Sequence, residues 1–128
     1  MTGERRILVV DDERDICGLL KLVLETEGYV TELAADGFGA LRAVESRPPD
    51  CLLLDVMMPG LDGHLVLRTL RSRRPTLPVV MMTAALGDEH VWRAWSEGVD
   101  YFLTKPFDPD DLLRFLAGLF ARPAAAGG

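Results

Sequence analysis

The chain has 128 residues, close to the size of one domain, with 48% hydrophobic and 27% charged residues and a formal net charge of −6. That length can bury one core without staples, and the acidic balance argues against direct nucleic-acid binding, which needs clustered Lys and Arg. No apolar run approaches the ~20 residues of a membrane span, and the one in "MTGERRILVVDDE" is too short for a signal peptide, so a cytoplasmic protein without a membrane partner is expected.

The first apolar run, "RILVV" (6–10), is short and continuous, the pattern of a strand buried on both faces. From Glu13 to Glu27, Ile16, Leu19, Leu20, Val23 and Leu24 follow the spacing of one buried helix face, with Gly28 as the residue after the cap. "YVTELA" (29–34) is more mixed and predicts an edge strand. Ala40, Leu41 and Val44 mark a second helix, closed by Pro48 and Pro49. "CLLLDV" (51–56) is another buried strand. Val66, Leu67 and Leu70 mark a third helix before Pro75, and "PVVMMT" (78–83) a fourth strand. A fourth helix is predicted over 88–97, with Gly98 behind it, and "YFLT" (101–104) is the fifth strand. The last helix starts at "DPDDLL", with Asp108 as N-cap, Pro109 at N1, and Asp110 and Asp111 set against the helix dipole; it runs to about Ala121. The Pro, Ala and Gly of 122–128 read as a flexible tail or the start of a linker. Cys17 and Cys51 form no CxxC pattern and read as small buried hydrophobes kept reduced.

Five strand–helix repeats predict an α/β fold, a parallel sheet with helices on both faces. In such folds ligands sit beyond the carboxyl ends of the strands. Asp11 and Asp12 follow the first strand, Asp55 ends the third, Thr83 ends the fourth and Lys105 follows the fifth. Each alone has an ordinary explanation: a helix cap, a strand-end acid, a β-former, a loop cation. Together they predict one cleft. Two like charges about 5 Å apart repel by roughly 3 kcal/mol at an effective dielectric of about 20, so adjacent acids need an offset. A hard cation supplies it, and oxygen-only ligands suit Mg²⁺. A carboxylate nucleophile, a metal and a fixed cation make a phosphoryl-transfer site in which Asp55 can become an aspartyl-phosphate.

The motifs "LVVDDE" (8–13), "LLLDVMMPGLDG" (52–63), "VVMMTA" (79–84) and "GVDYFLTKPF" (98–107) resemble the receiver domain of two-component response regulators, over residues 5–121. The resemblance implies a flavodoxin-like (βα)5 fold, a doubly wound parallel five-stranded sheet in the order 2-1-3-4-5. It implies Asp55 as phosphoacceptor, Asp12 and Asp55 as direct Mg²⁺ ligands, Asp11 acting largely through water, and the Met57 carbonyl as a further ligand. Lys105 would hold a phosphoryl oxygen, Thr83 would report the arrival of the phosphoryl group, and the Lys105–Pro106 bond would be cis. The implied partners are a sensor histidine kinase or histidine phosphotransfer protein and a downstream output domain or partner protein.

Some positions depart from the family pattern. Phe102 stands where an aromatic, often Tyr, turns inward on activation; it lacks the hydroxyl, and neighbouring Tyr101 must face the other side of the sheet. The expected response therefore rests on packing. In "DEHVWRAWSEG", Trp92 is expected inward, and Val91 with Trp95 outward as an i, i+4 pair. They would mark a partner or homodimer face formed by the 88–97 helix, the last strand and the last helix. Met57 and Ala85 flank the path of attacking water in the family and cannot orient it strongly, which predicts slow self-dephosphorylation. His64 is expected to be exposed, and His64 and His90 lack metal-ligand spacing. Three other readings compete. A flavin or nucleotide binder would need a Gly- or Ser/Thr-rich loop where "DDERD" stands. An aspartyl phosphatase would carry its nucleophile after the first strand. A receiver reduced to docking would not keep all five functional positions.

Overall fold

The computed structural model describes residues 4–55, 63–83 and 98–121, and of residues 63, 64 and 83 the backbone alone. Among the described residues nine elements run in chain order: β1 (Arg6–Val10), α1 (Arg14–Thr26), β2 (Val30–Ala34), α2 (Gly37–Ser46), β3 (Cys51–Asp55), α3 (Gly63–Arg73), β4 (Val79–Thr83), β5 (Tyr101–Thr104) and α4 (Pro109–Ala121). All four strand pairings are parallel, and the order is β2-β1-β3-β4-β5. This is the expected flavodoxin-like arrangement, with the mixed strand β2 at an edge. The helix expected over 88–97, with Val91, Trp92 and Trp95, lies outside the described residues. So do Met57, residues 58–62, Ala85, His90 and residues 122–128.

Strand alternation sorts the interior into two cores. Leu8, Val10, Leu52, Leu54, Val79 and Met81 point to one face, where Ala40 and Val44 of α2 and Val66, Leu67 and Leu70 of α3 cover them. Ile7, Val9, Cys51, Leu53, Val80, Met82 and Leu103 point to the other, beneath Cys17, Leu20 and Leu24 of α1 and Leu112 and Leu116 of α4. Both faces are roofed, which is why the central strands are continuous apolar runs.

The helix boundaries follow local chemistry. Gly28 has φ +92, a left-handed value that closes α1 at little steric cost. The Asp36 carboxylate accepts from the Gly39 amide at 2.7 Å and caps α2, a cap that the proline-bounded reading of this helix did not include. Asp108 accepts from the Asp110 amide at 2.9 Å at the start of α4, as expected. One expectation about α1 fails. Leu19 is 48% exposed, whereas Cys17, Leu20 and Leu24 are buried. At roughly 100° per residue the buried stripe centres between Leu20 and Leu24, and Leu19 falls off its side.

Two arginines tie the rim where the strands begin. Arg6 donates to the carbonyls of Arg47 (3.2 Å) and Pro48 (3.1 Å) and pairs with Glu32. Arg71 donates to the carbonyls of Leu77 and Gly98 and to the Asp100 carboxylate, which also accepts from the Val79 amide at 2.8 Å. The turn into β5 is thereby fastened to the end of α3.

Two measurements check this packing. Leu53→Ala removes a fully buried side chain and is expected to cost about 3 kcal/mol in urea unfolding, whereas Leu22→Ala, at a site 67% exposed, should stay within about 0.5 kcal/mol. Both cysteines are buried and unpaired, and burial pushes both thiols up from their ordinary pKa. Neither should react with a thiol reagent at neutral pH until denaturant is added; rapid titration of Cys51 in the native protein would contradict the fold.

Candidate functional site

The register explains why distant residues meet. Val10 pairs with Leu54, so one further step places Asp11 beside Asp55. Asp55 pairs with Met82, and Thr83 pairs with Thr104, the residue before Lys105. The alternation of side chains adds a second constraint. Ile7, Val9, Cys51, Leu53, Tyr101 and Leu103 all serve the core beneath α1 and α4. Two residues on from Val9, Leu53 and Leu103 stand Asp11, Asp55 and Lys105. The same parity that fills the core aims these three polar groups to one side of the rim.

The carboxylates do converge. One oxygen from each of Asp11, Asp12 and Asp55 lies within 4.8 Å of the others. Asp11 and Asp55 are buried, at 1% and 3% exposure, and Asp12 is exposed at the mouth. The Lys105 ammonium enters the same space, 2.8 Å from Asp11 Oδ2, 3.2 Å from Asp55 Oδ2 and 2.9 Å from Glu13 Oε1. Burial works to lower the Lys105 pKa. Hydrogen bonds to Asp11 and Glu13, with the charge of Asp55, outweigh it, and the group is held above the ordinary lysine range. The ammonium therefore stays charged throughout the neutral range. The Lys105–Pro106 bond is cis, as expected.

The backbone beneath the acids is also fixed. The Asp11 amide donates to the Ala34 carbonyl at 3.2 Å, and Asp11 Oδ1 accepts from the Glu13 amide at 2.9 Å. The Cys17 thiol donates to the Asp11 carbonyl at 3.3 Å. A cleft of about 390 Å³ opens next to the acids, between the start of α1 and the end of β2, lined by Asp11, Asp12, Arg14, Cys17, Leu33 and Ala34 among others.

The donor set fits a hard divalent cation: all oxygens, from three carboxylates, with exposed space for water at Asp12. Counting Glu13, four carboxylates face one ammonium, a formal excess of three negative charges that a divalent ion would largely offset. Thr83 is placed at the end of β4, on the same rim, by its backbone. Phe102 is partly buried against the core under α2 and α3, while Tyr101 packs on the opposite core and stacks on Phe115 at 4.6 Å between ring centroids. The two neighbours face opposite ways, as strand geometry required. The sequence reading missed Glu13, which it took only as the start of a helix; the acid following the pair in "DDE" was the one available signal.

Comparison with known proteins agrees with this geometry. Residues 7–117 match the family model of the response regulator receiver domain. The response regulator MprA of Mycobacterium ulcerans (strain Agy99) is 44% identical over 117 residues, 91% of this chain and 50% of the relative. The DNA-binding response regulator MtrA of Mycobacterium tuberculosis (strain ATCC 25618 / H37Rv) is 41% identical over 112 residues, 88% of this chain and 49% of the relative. The chain thus spans about half the length of the curated relatives it matches. Among solved structures, a CheY-like response regulator receiver domain protein from Methanospirillum hungatei JF-1 superposes with a TM-score of 0.87 at 31% identity, covering 91% of this chain and 94% of the other. The acid rim, the strand order and the matched segment agree, and the chain belongs to the response regulator receiver domain family.

Proposed function

We propose that this domain, taken as residues 5–121 with 122–128 as a tail or linker, works in the cytoplasm and accepts a phosphoryl group on Asp55 from a sensor histidine kinase or a histidine phosphotransfer protein. The phosphorylated form then signals to an output domain or a partner protein. The observation that carries this reading is the buried Asp55 carboxylate within reach of Asp11, Asp12 and the Lys105 ammonium. It fits the family's work as a phosphorylation-dependent switch in two-component signalling. The domain acts as a phosphoacceptor that promotes its own modification rather than as an enzyme turning over a separate substrate.

The residues divide the labour. An Asp55 carboxylate oxygen attacks phosphorus, and the phosphorus–nitrogen bond of the phosphohistidine breaks as the imidazole departs with its electron pair. Lys105 supplies a charged donor that can follow a phosphoryl oxygen as its negative charge spreads. Mg²⁺ held by Asp11, Asp12 and Asp55, with the Met57 carbonyl assigned by resemblance, would neutralise charge on the transferring group and ease the crowding of acids. Thr83 senses the new oxygens, and Phe102 repacks on its own side of the sheet. The output is read on a face that includes Val91 and Trp95, which also serves as the contact in a homodimer. Met57 and Ala85 leave attacking water poorly oriented, so the phosphoryl group persists.

Intact-mass measurement after incubation with Mg²⁺ and a small acyl phosphate should show one added phosphoryl group. Asp55→Asn and chelation of the metal should each abolish it, and label persisting on Asp55→Asn would refute the assignment. Lys105→Ala should slow labelling by about 100-fold or more, as expected when one preorganised charged donor is lost. Phe102→Ala should accept phosphate at a near-normal rate yet lose the difference in partner binding between the phosphorylated and unphosphorylated forms. Trp95→Ala should weaken partner binding or dimerisation while leaving labelling intact.

A further inference from the structure

The Lys105 ammonium has three N–H donors, and three carboxylates hold it: Asp11 at 2.8 Å, Glu13 at 2.9 Å and Asp55 at 3.2 Å. No donor is left over for an incoming phosphoryl oxygen. One of the three bonds must open before Lys105 can serve the reaction, and the three differ in what they can give up. The side chains of Asp11 and Asp55 are 0% and 4% exposed and belong to the three-acid cluster. Releasing either takes an ion-pair partner from a buried carboxylate, which costs more than the same loss at an exposed one. The Glu13 side chain is 59% exposed and stands outside that cluster, so water replaces the ammonium at once when it swings away.

The backbone of Glu13 does not need to move. Its amide donates to Asp11 Oδ1 at 2.9 Å, and its carbonyl accepts the first helical bond, from the Cys17 amide, at 3.1 Å. Its side chain makes no capping bond to α1, although it occupies the cap position. The carboxylate is thus a free arm on a fixed base, and its described contact is with Lys105.

We propose that Glu13 is a latch residue for phosphotransfer: its carboxylate occupies the Lys105 donor that the incoming phosphoryl group needs, and phosphorylation proceeds by exchange of Glu13 for a phosphoryl oxygen. This rests on the assignment of Asp55 as acceptor. Glu13 is a positioning residue acting through Lys105. It sets how readily the resting domain takes phosphate from a small donor, without being a ligand of the metal.

The test compares wild type, Glu13→Gln and Glu13→Asp, each labelled with acetyl phosphate and Mg²⁺ over a range of donor concentrations. Glu13→Gln removes the charge and the ion pair. Glu13→Asp keeps the charge but is one methylene shorter and loses reach. The latch predicts that both variants label faster by about two- to fivefold, the factor to which an exposed ion pair corresponds. The gain should appear mainly as a lower half-saturating donor concentration. Thermal midpoints should stay at the wild-type value, since no cap is lost, which separates the latch from a structural role. A rate in Glu13→Gln equal to or below wild type overturns the latch while leaving Asp55 as acceptor. A faster Gln variant with an Asp variant at the wild-type rate overturns it in favour of a general charge effect. A wild type that takes no phosphate under these conditions, matched by an unlabelled Asp55→Asn, removes the acceptor assignment and the latch together.

Discussion

The arrangement depends on one electrostatic constraint: a single ammonium is shared among carboxylates that would otherwise repel. Asp11 and Asp55 are buried almost completely, and burial of carboxylates is tolerated only with partners close by. Lys105 reaches both. Its own burial would favour loss of the proton, yet the surrounding acids hold it charged. The acids hold the lysine in its charged form, and its ammonium offsets part of the repulsion between them. The negative excess that remains is one that a divalent cation would offset.

The fold supplies this constraint through parity and register. Core residues of β1, β3 and β5 alternate between two roofed faces, and the polar residues continue that alternation just past the strand ends. Cohesion is concentrated elsewhere. Arg6 and Arg71 fasten loops at the rim where the strands begin, using backbone carbonyls and the carboxylates of Glu32 and Asp100. The acidic rim can hold groups that resist one another because the opposite rim and the two cores hold the sheet together.

Much of this was legible in the residues. The central strands β1, β3 and β4 are short, continuous apolar runs because both sheet faces are covered, and that pattern needs no tertiary information. Asp11, Asp12, Asp55 and Lys105 were legible because a polar residue at the end of a buried strand has few places to point. What escaped depended on rotation and reach. Leu19 satisfies the helical spacing on paper, but the stripe on α1 is turned toward Cys17, Leu20 and Leu24, and only the docking of α1 on the sheet decides that. Glu13 escaped because its role lies in a contact with a residue 92 positions away. Asp36 escaped because the second helix was read from its closing prolines rather than from its start.

The opposed pair on β5 carries a further consequence. Tyr101 is engaged with Phe115 in a parallel stack, its planes only 4° apart, on the side roofed by α4. Phe102, one residue on, is partly buried on the other side. A rotation of Phe102 need not disturb the stack, because the backbone of the strand stands between them. The sheet is a partition: what packs against Phe102 is divided from the Tyr101–Phe115 stack by a strand of backbone, so a change of fit on one side leaves the other its shape.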